Sequence, residues 1–132
     1  MRSNMRIFVL LATILSASIC FAADKPAVDP KSATLVEALG EWIGLLEGKD
    51  LKAITTRWAA GDDAAKSITH YWEHTQKAHA RHDYRNWLGE GSPEKIGDKT
   101  QFKVGGHSYQ HIHVNWQKTG SGWRIAGVAM CR

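Results

Sequence analysis

Residues 110–130, QHIHVNWQKTGSGWRIAGVAM, constrain this chain more than any other stretch, because two runs of alternating side chains flank the glycine-containing residues 119–122. Alternation on both sides of such a turn predicts a β-hairpin that closes the fold. Cross-strand partners share a face. With Trp116 set opposite Trp123, Val114 meets Ile125 and Ile112 meets Gly127, all on one apolar side. Tyr109, His111, His113, Asn115 and Arg124 then lie on the other side. A sheet with one oily face needs a covering layer, and the helical patterns upstream supply it.

Those patterns begin after a targeting segment. Arg2 and Arg6 form a basic start, an apolar run reaches Ile19, and Cys20, Phe21 and Ala22 make a small-x-small cleavage site. Residues 1–22 therefore read as a signal peptide cleaved near Ala22, and the product as periplasmic or secreted. The apolar run is short for a membrane span. Residues 23–132 make one small domain. Without Arg2 and Arg6 the basic count drops from 17 to 15 against 13 acids, so the net charge falls from +4 to +2. That balance is too weak and too evenly spread for a nucleic-acid partner. Cys131 is then the one cysteine left, so no intrachain disulfide can staple the domain. A packed core must hold it, and all six tryptophans lie in this part.

Asp29 and Pro30 read as an N-cap and first helical turn. Leu35, Leu39, Trp42 and Leu46, with Val36 and Ile43 beside them, make one apolar helical stripe that Gly48 stops. Asp50 caps a second helix carrying Leu51, Ile54 and Trp58, and Gly61 ends it. Asp62 or Asp63 caps a third, running to about His82. Steps of 100° put Ala64, Ala65, Ile68, Tyr71, Trp72, Thr75, His79 and His82 on one face, and His70, Glu73, His74, Lys77 and Arg81 on the other. Residues 83–88 read as a strand and residues 89–93 as a loop. Thr100, Phe102 and Val104 alternate in a second strand, and Gly105 with Gly106 is a two-residue hairpin signal into a strand over residues 107–118. The expectation is an α+β fold, with three N-terminal helices packed on a mostly antiparallel sheet of about four strands.

Two runs, ALGEWIGLLEGKDLKAI at residues 38–54 and GSGWRIAG at residues 120–127, resemble the nuclear transport factor 2-like superfamily, which includes ketosteroid-isomerase-like domains. That resemblance implies a curved, cone-like sheet around a helix, a pocket inside its mouth, and dimerisation through the sheet. The isomerase members use an acidic base and a tyrosine. That pair has no matching positions here, so no catalytic residue is carried over.

His79 and His82 share the core side with Tyr71 and Thr75. Polar groups turned inward must be hydrogen-bonded or line a cavity. Core histidines satisfied locally compete with a pocket reading in which Trp58, Tyr71, Thr75, His79, His82 and Tyr84 contact a small organic ligand, without a cofactor. A histidine there could also serve an isomerase or dehydratase as general base. Metal binding is the third reading. His70, Glu73 and His74 spell H-x-x-E-H, a zinc-peptidase signature, though a solvated helix face explains them as well. His111 and His113, with Gly105 upstream, spell G-x5-H-x-H, but the expected glutamate is missing and two imidazoles leave a metal short of ligands.

Overall fold

A computed structural model describes residues 27–87, 94–96, 99–105 and 112–130. The signal segment, the loop at residues 89–93, Gly106, the strand start at residues 107–111 with Tyr109 and His111, and Cys131 lie outside these residues.

The first helix starts at a capping box rather than at Asp29. The Thr34 hydroxyl accepts from the Glu37 N–H at 3.2 Å, and the Glu37 carboxylate accepts from the Thr34 N–H at 2.8 Å. Helix α1 is therefore Leu35–Glu47. Asp29 instead closes a turn, its carboxylate taking the Lys31 N–H and its carbonyl the N–H groups of Ser32 and Ala33. Two reciprocal bonds at the box outcompete one aspartate that is engaged locally. Gly48 ends α1, and Asp50 caps α2, Leu51–Arg57, by accepting the Ala53 N–H at 3.0 Å.

The single third helix is corrected to two, α3 Asp62–His70 and α4 Trp72–Arg81, with Gly61 as the N-cap of α3. Tyr71 interrupts them at φ −98° and ψ 14°, outside helical geometry. The break lets each half follow a different neighbour, since α3 packs along the last strand while α4 ends against α1. Residues 83–87 are not a strand. Tyr84–Trp87 is a 3₁₀ turn, set by Asp83, whose carboxylate accepts the Arg85 N–H and whose carbonyl accepts the Asn86 N–H. Such side-chain competition turns the backbone before a strand can start.

Among the described residues four strands follow: β1 Glu94–Ile96, β2 Lys99–Val104, β3 Ile112–Thr119 and β4 Gly122–Met130. They pair antiparallel in the order β1-β2-β3-β4. Among the described residues the fold is thus α+β, with four α-helices preceding a four-stranded antiparallel sheet. Val104 faces Val114, so the connection after Gly105 is longer than two residues.

The terminal hairpin forms, in a different register. Trp123 faces Lys118 and Trp116 faces Ile125, two residues from the expected pairing. The chain reverses over Gly120 and Ser121 alone, and Gly122 takes φ +92° immediately after. A bulge beside Asn115 and Trp116 leaves Ala126 without a partner, so Val128 rather than Gly127 joins Val114 on the inner face. Phe102 and Val104 complete that face from β2. Trp42, Trp58, Trp116, Ile54 and Ile125 are all fully buried at its centre.

The oily side of the ribbon therefore turns inward as the alternation predicts. His113 departs from expectation: it occupies the far face, yet it is buried. The open edge of β4 is covered. Ile125 donates to the Trp58 carbonyl at 2.6 Å and accepts the Ala60 N–H at 2.9 Å. Three residues on, the Ser67 hydroxyl accepts the Val128 N–H and donates to the Val128 carbonyl. A hydroxyl and a short backbone bridge here take the place of a fifth strand.

Candidate functional site

The inner face of the sheet positions a run of aromatic rings. Trp58 lies edge-on to Trp116 with ring centroids 5.8 Å apart, and Trp116 lies edge-on to Trp42 at the same distance. Trp42 stacks on Tyr84 at 5.3 Å, and Tyr84 stacks in turn on His79 at 5.3 Å. Three helices, the 3₁₀ turn and the sheet each contribute to this column, which runs from the β4 edge to the C-terminal end of α4. Offset and edge-on pairs of this kind add stability beyond the area they bury.

His79 ends the column, and both of its ring nitrogens are engaged. Nε2 lies 2.9 Å from Glu47 Oε1, and Nδ1 accepts the Tyr84 N–H at 3.1 Å. Because a backbone N–H can only donate, Nδ1 must be unprotonated, and the ring proton sits on Nε2 facing the carboxylate. No lone pair is then left to serve as a general base or to hold a metal. In this arrangement His79 acts as a pin that joins α1, α4 and the 3₁₀ turn.

Arg85 completes the exposed end of the site. Its guanidinium pairs with Glu47 and reaches Asp83 at 3.3 Å. The Arg85 hydrogen bond, followed by that from His79, holds the Glu47 carboxyl down at about 2, against an ordinary value of 4.5. Arg85 is pushed up by the same pair. A carboxyl with a lowered folded-state pKa contributes stability above its unfolded value and loses it as the pH falls. The wild-type urea midpoint should therefore drop between about pH 4.5 and 2 more steeply than that of Glu47→Gln, and added salt should narrow the gap. Parallel midpoint curves for the two proteins would show that the pair carries no linkage.

Tyr84 is 2% exposed, and burial pushes its hydroxyl well above the ordinary tyrosine range. The Tyr84 hydroxyl and the indole N–H groups of Trp58 and Trp116 are buried and have no hydrogen-bond partner among the described residues. Leaving one such group unsatisfied costs about 1–3 kcal/mol.

The other expected site residues divide. Thr75 is buried and donates to the Tyr71 carbonyl at 2.8 Å, so its hydroxyl serves the α3–α4 break. Tyr71 is half-buried there, its ring edge-on to His70 at 4.6 Å. His82 is exposed at the C-cap of α4 and does not share the core side with His79. The structure thus brings His79, Tyr84 and Trp58 into one column and leaves Tyr71, Thr75 and His82 outside it. His70 and His74 are exposed and straddle the helix break, so the i,i+4 geometry that H-x-x-E-H requires is not carried by one helix. Among the described residues no group of three or more His, Cys, Asp or Glu side chains lies where it could hold a metal ion.

Sequence reasoning missed Glu47, which holds His79, Arg85, which pairs with Glu47, and the part of Trp42 and Trp116 in the ring column rather than plain core. Glu47 carried a usable signal, being an acid in the last turn of α1, where the helix dipole favours a cation and a basic partner is needed nearby. An open depression of about 440 Å³ lies elsewhere, between α2 and α3, lined by Thr55, Ala65, Lys66, Thr69 and His70. Its two threonine hydroxyls donate back to their own helices, so it presents few donors. No helix among the described residues is long and apolar enough to cross a membrane. Comparison with models of known protein families, with curated proteins and with solved structures finds no match for this chain.

Proposed function

We propose that this chain is an exported small-molecule-binding domain of the nuclear transport factor 2-like type, taking its ligand at Tyr84 and the rings stacked with it. The observation that carries this reading is the Tyr84 hydroxyl, enclosed beside Trp42 and His79 with no hydrogen-bond partner among the described residues. Native chains hydrogen-bond nearly all buried polar groups, and an exception calls for an explanation, of which a bound partner is one. Binding suits the site better than acid–base catalysis, because Glu47 and the Tyr84 N–H use both nitrogens of His79. The resemblance at residues 38–54 and 120–127 points the same way. A dimer through the sheet is no part of this reading, since Lys99 and Lys103 stand exposed on one face of β2, where a two-fold contact would crowd like charges.

Tyr84→Phe tests the proposal, because it removes the unpartnered hydroxyl and keeps the stacked ring. The ligand-free variant should match the wild type in urea unfolding or exceed it by up to about 1 kcal/mol. It should also lose the thermal stabilisation that the wild type gains from its best compound in a panel of small aromatic molecules. A ligand-free loss above about 1 kcal/mol would mean that the hydroxyl is satisfied within the fold, and the reading would fail. A panel in which no compound stabilises the wild type would end it equally.

A further inference from the structure

His79 is held in one protonation state by a contact that its other state cannot make. Nδ1 accepts the Tyr84 N–H at 3.1 Å, and Nε2 lies 2.9 Å from Glu47 Oε1. Turning the ring over would set carbon at both contacts, so the two partners fix its orientation. A second proton has one place to go, Nδ1, and there it would point an N–H at an N–H. The surroundings nevertheless favour the added charge. Glu47 on α1 and Asp83, on the segment after α4, face the ring from two sides, and Arg85 on the 3₁₀ turn pairs with both. Two carboxylates against one guanidinium leave these groups one negative charge in excess, which a proton on His79 cancels. A replacement acceptor is also in place. Asp83 Oδ1 lies 3.9 Å from Nδ1, too far for a hydrogen bond in the neutral form and within reach after a small shift. The His79 side chain is 11% exposed, so protons from water reach it.

We infer that His79 is a proton-operated latch on the 3₁₀ turn. In its neutral form it ties the Tyr84 backbone to α4 and, through Glu47, to α1. When Nδ1 takes a proton from water, the bond from the Tyr84 N–H breaks, and a charge-assisted bond from Nδ1–H to the Asp83 carboxylate replaces it. Asp83 Oδ1 also accepts the Arg85 N–H at 3.0 Å, so drawing this oxygen toward His79 loosens the turn at its start. The Tyr84 ring, stacked on His79 at 5.3 Å, loses its backbone anchor in the same step. Histidine changes charge between about pH 5 and 8, so the latch opens on mild acidification. Glu47, held down at about 2 by Arg85 first and His79 second, stays ionised as a counter-charge throughout that range. The latch needs no ligand and stands apart from the binding reading.

Hydrogen exchange and ¹⁵N shifts of the labelled protein, followed from about pH 8 to about pH 5, test it. The His79 ring should begin as the Nε2–H tautomer and titrate with the same midpoint as the Tyr84 amide. Across that midpoint the Tyr84 amide should lose about tenfold or more of its protection, while the amide of Ile125, which donates to the Trp58 carbonyl in the core, keeps its own. His79→Gln has no titrating ring and should leave the Tyr84 amide flat over the range. A response that persists in it would belong to His82 or Asp83 and overturn the latch. Asp83→Asn removes the charge of the replacement acceptor and keeps an oxygen for the Arg85 N–H, so both signals should titrate at a lower pH than in the wild type. An unchanged midpoint there would overturn the transfer to Asp83. Three wild-type results would overturn the latch outright: a His79 ring that does not titrate in this range, a ring that titrates while the Tyr84 amide stays still, or protection lost at Tyr84 and Ile125 together.

Discussion

Gly122→Ala is expected to lower the stability of the domain by about 3 kcal/mol or more, enough to remove a large share of what a small domain has. Gly122 sits at φ +92°, where an L side chain is strained whatever room it has. There is also no room. A Cβ at this position would be driven into the Pro30 carbonyl oxygen and would lie 3.0 Å from the Lys31 carbonyl oxygen. Both obstacles are backbone, in the turn that Asp29 closes, so neither can swing aside as a side chain would. Gly120, two residues earlier in the same reversal, has nothing within 4 Å of its Cβ position and no positive φ. Gly120→Ala should stay within about 0.5 kcal/mol of the wild type. Urea midpoints for the two variants measure the contrast directly. A loss below about 1 kcal/mol for Gly122→Ala would mean that the lead-in turn does not pack on the hairpin.

The same glycine shows where the sequence was legible and where it was not. That residues 119–122 reverse the chain follows from composition, and so does the inward face of Val114, Trp116 and Ile125. The pairing of Trp116 with Ile125 rather than with Trp123 does not follow. It depends on which residues lie in the reversal and on a bulge at Ala126, and alternation alone carries no mark of an extra residue. Caps divided in a similar way. Gly48 and Asp50 did what their types predict, whereas Asp29 lost to the box at Thr34 and Glu37. The helical wheel over residues 62–82 assumed an unbroken helix, so it placed His82 with His79, and the break at Tyr71 undoes that phase. His79 and Tyr84 were found by their inward or near-core placement. Glu47 and Arg85 were not, because the ion pair that fixes His79 joins residues 32 or more apart, beyond any local pattern.

Trp116→Ala should cost about 3–5 kcal/mol, the range for emptying a buried aromatic site that its surroundings cannot refill. Trp116 is 0% exposed, faces Phe102 on one side and Ile125 on the other, and touches both Trp42 and Trp58. Its removal would therefore open a void among side chains held from α1, the C-cap of α2, β2 and β4 at once, and no one of those elements can close it alone. Trp116→Phe separates the two roles of the residue. It keeps a ring for Trp42 and Trp58 to pack on and deletes an N–H that has no partner in the ligand-free protein. Two terms then oppose each other, a smaller cavity and the relief of an unsatisfied donor, and the net cost should be about 1–2 kcal/mol. Trp87→Ala, at a half-buried residue on the rim, sets the scale for loss of aromatic surface without a central void and should cost less than Trp116→Ala. Chemical unfolding of the three variants under one condition orders them. If Trp116→Phe proved as damaging as Trp116→Ala, the indole N–H would be a satisfied part of the fold. The packing role of the ring would stand.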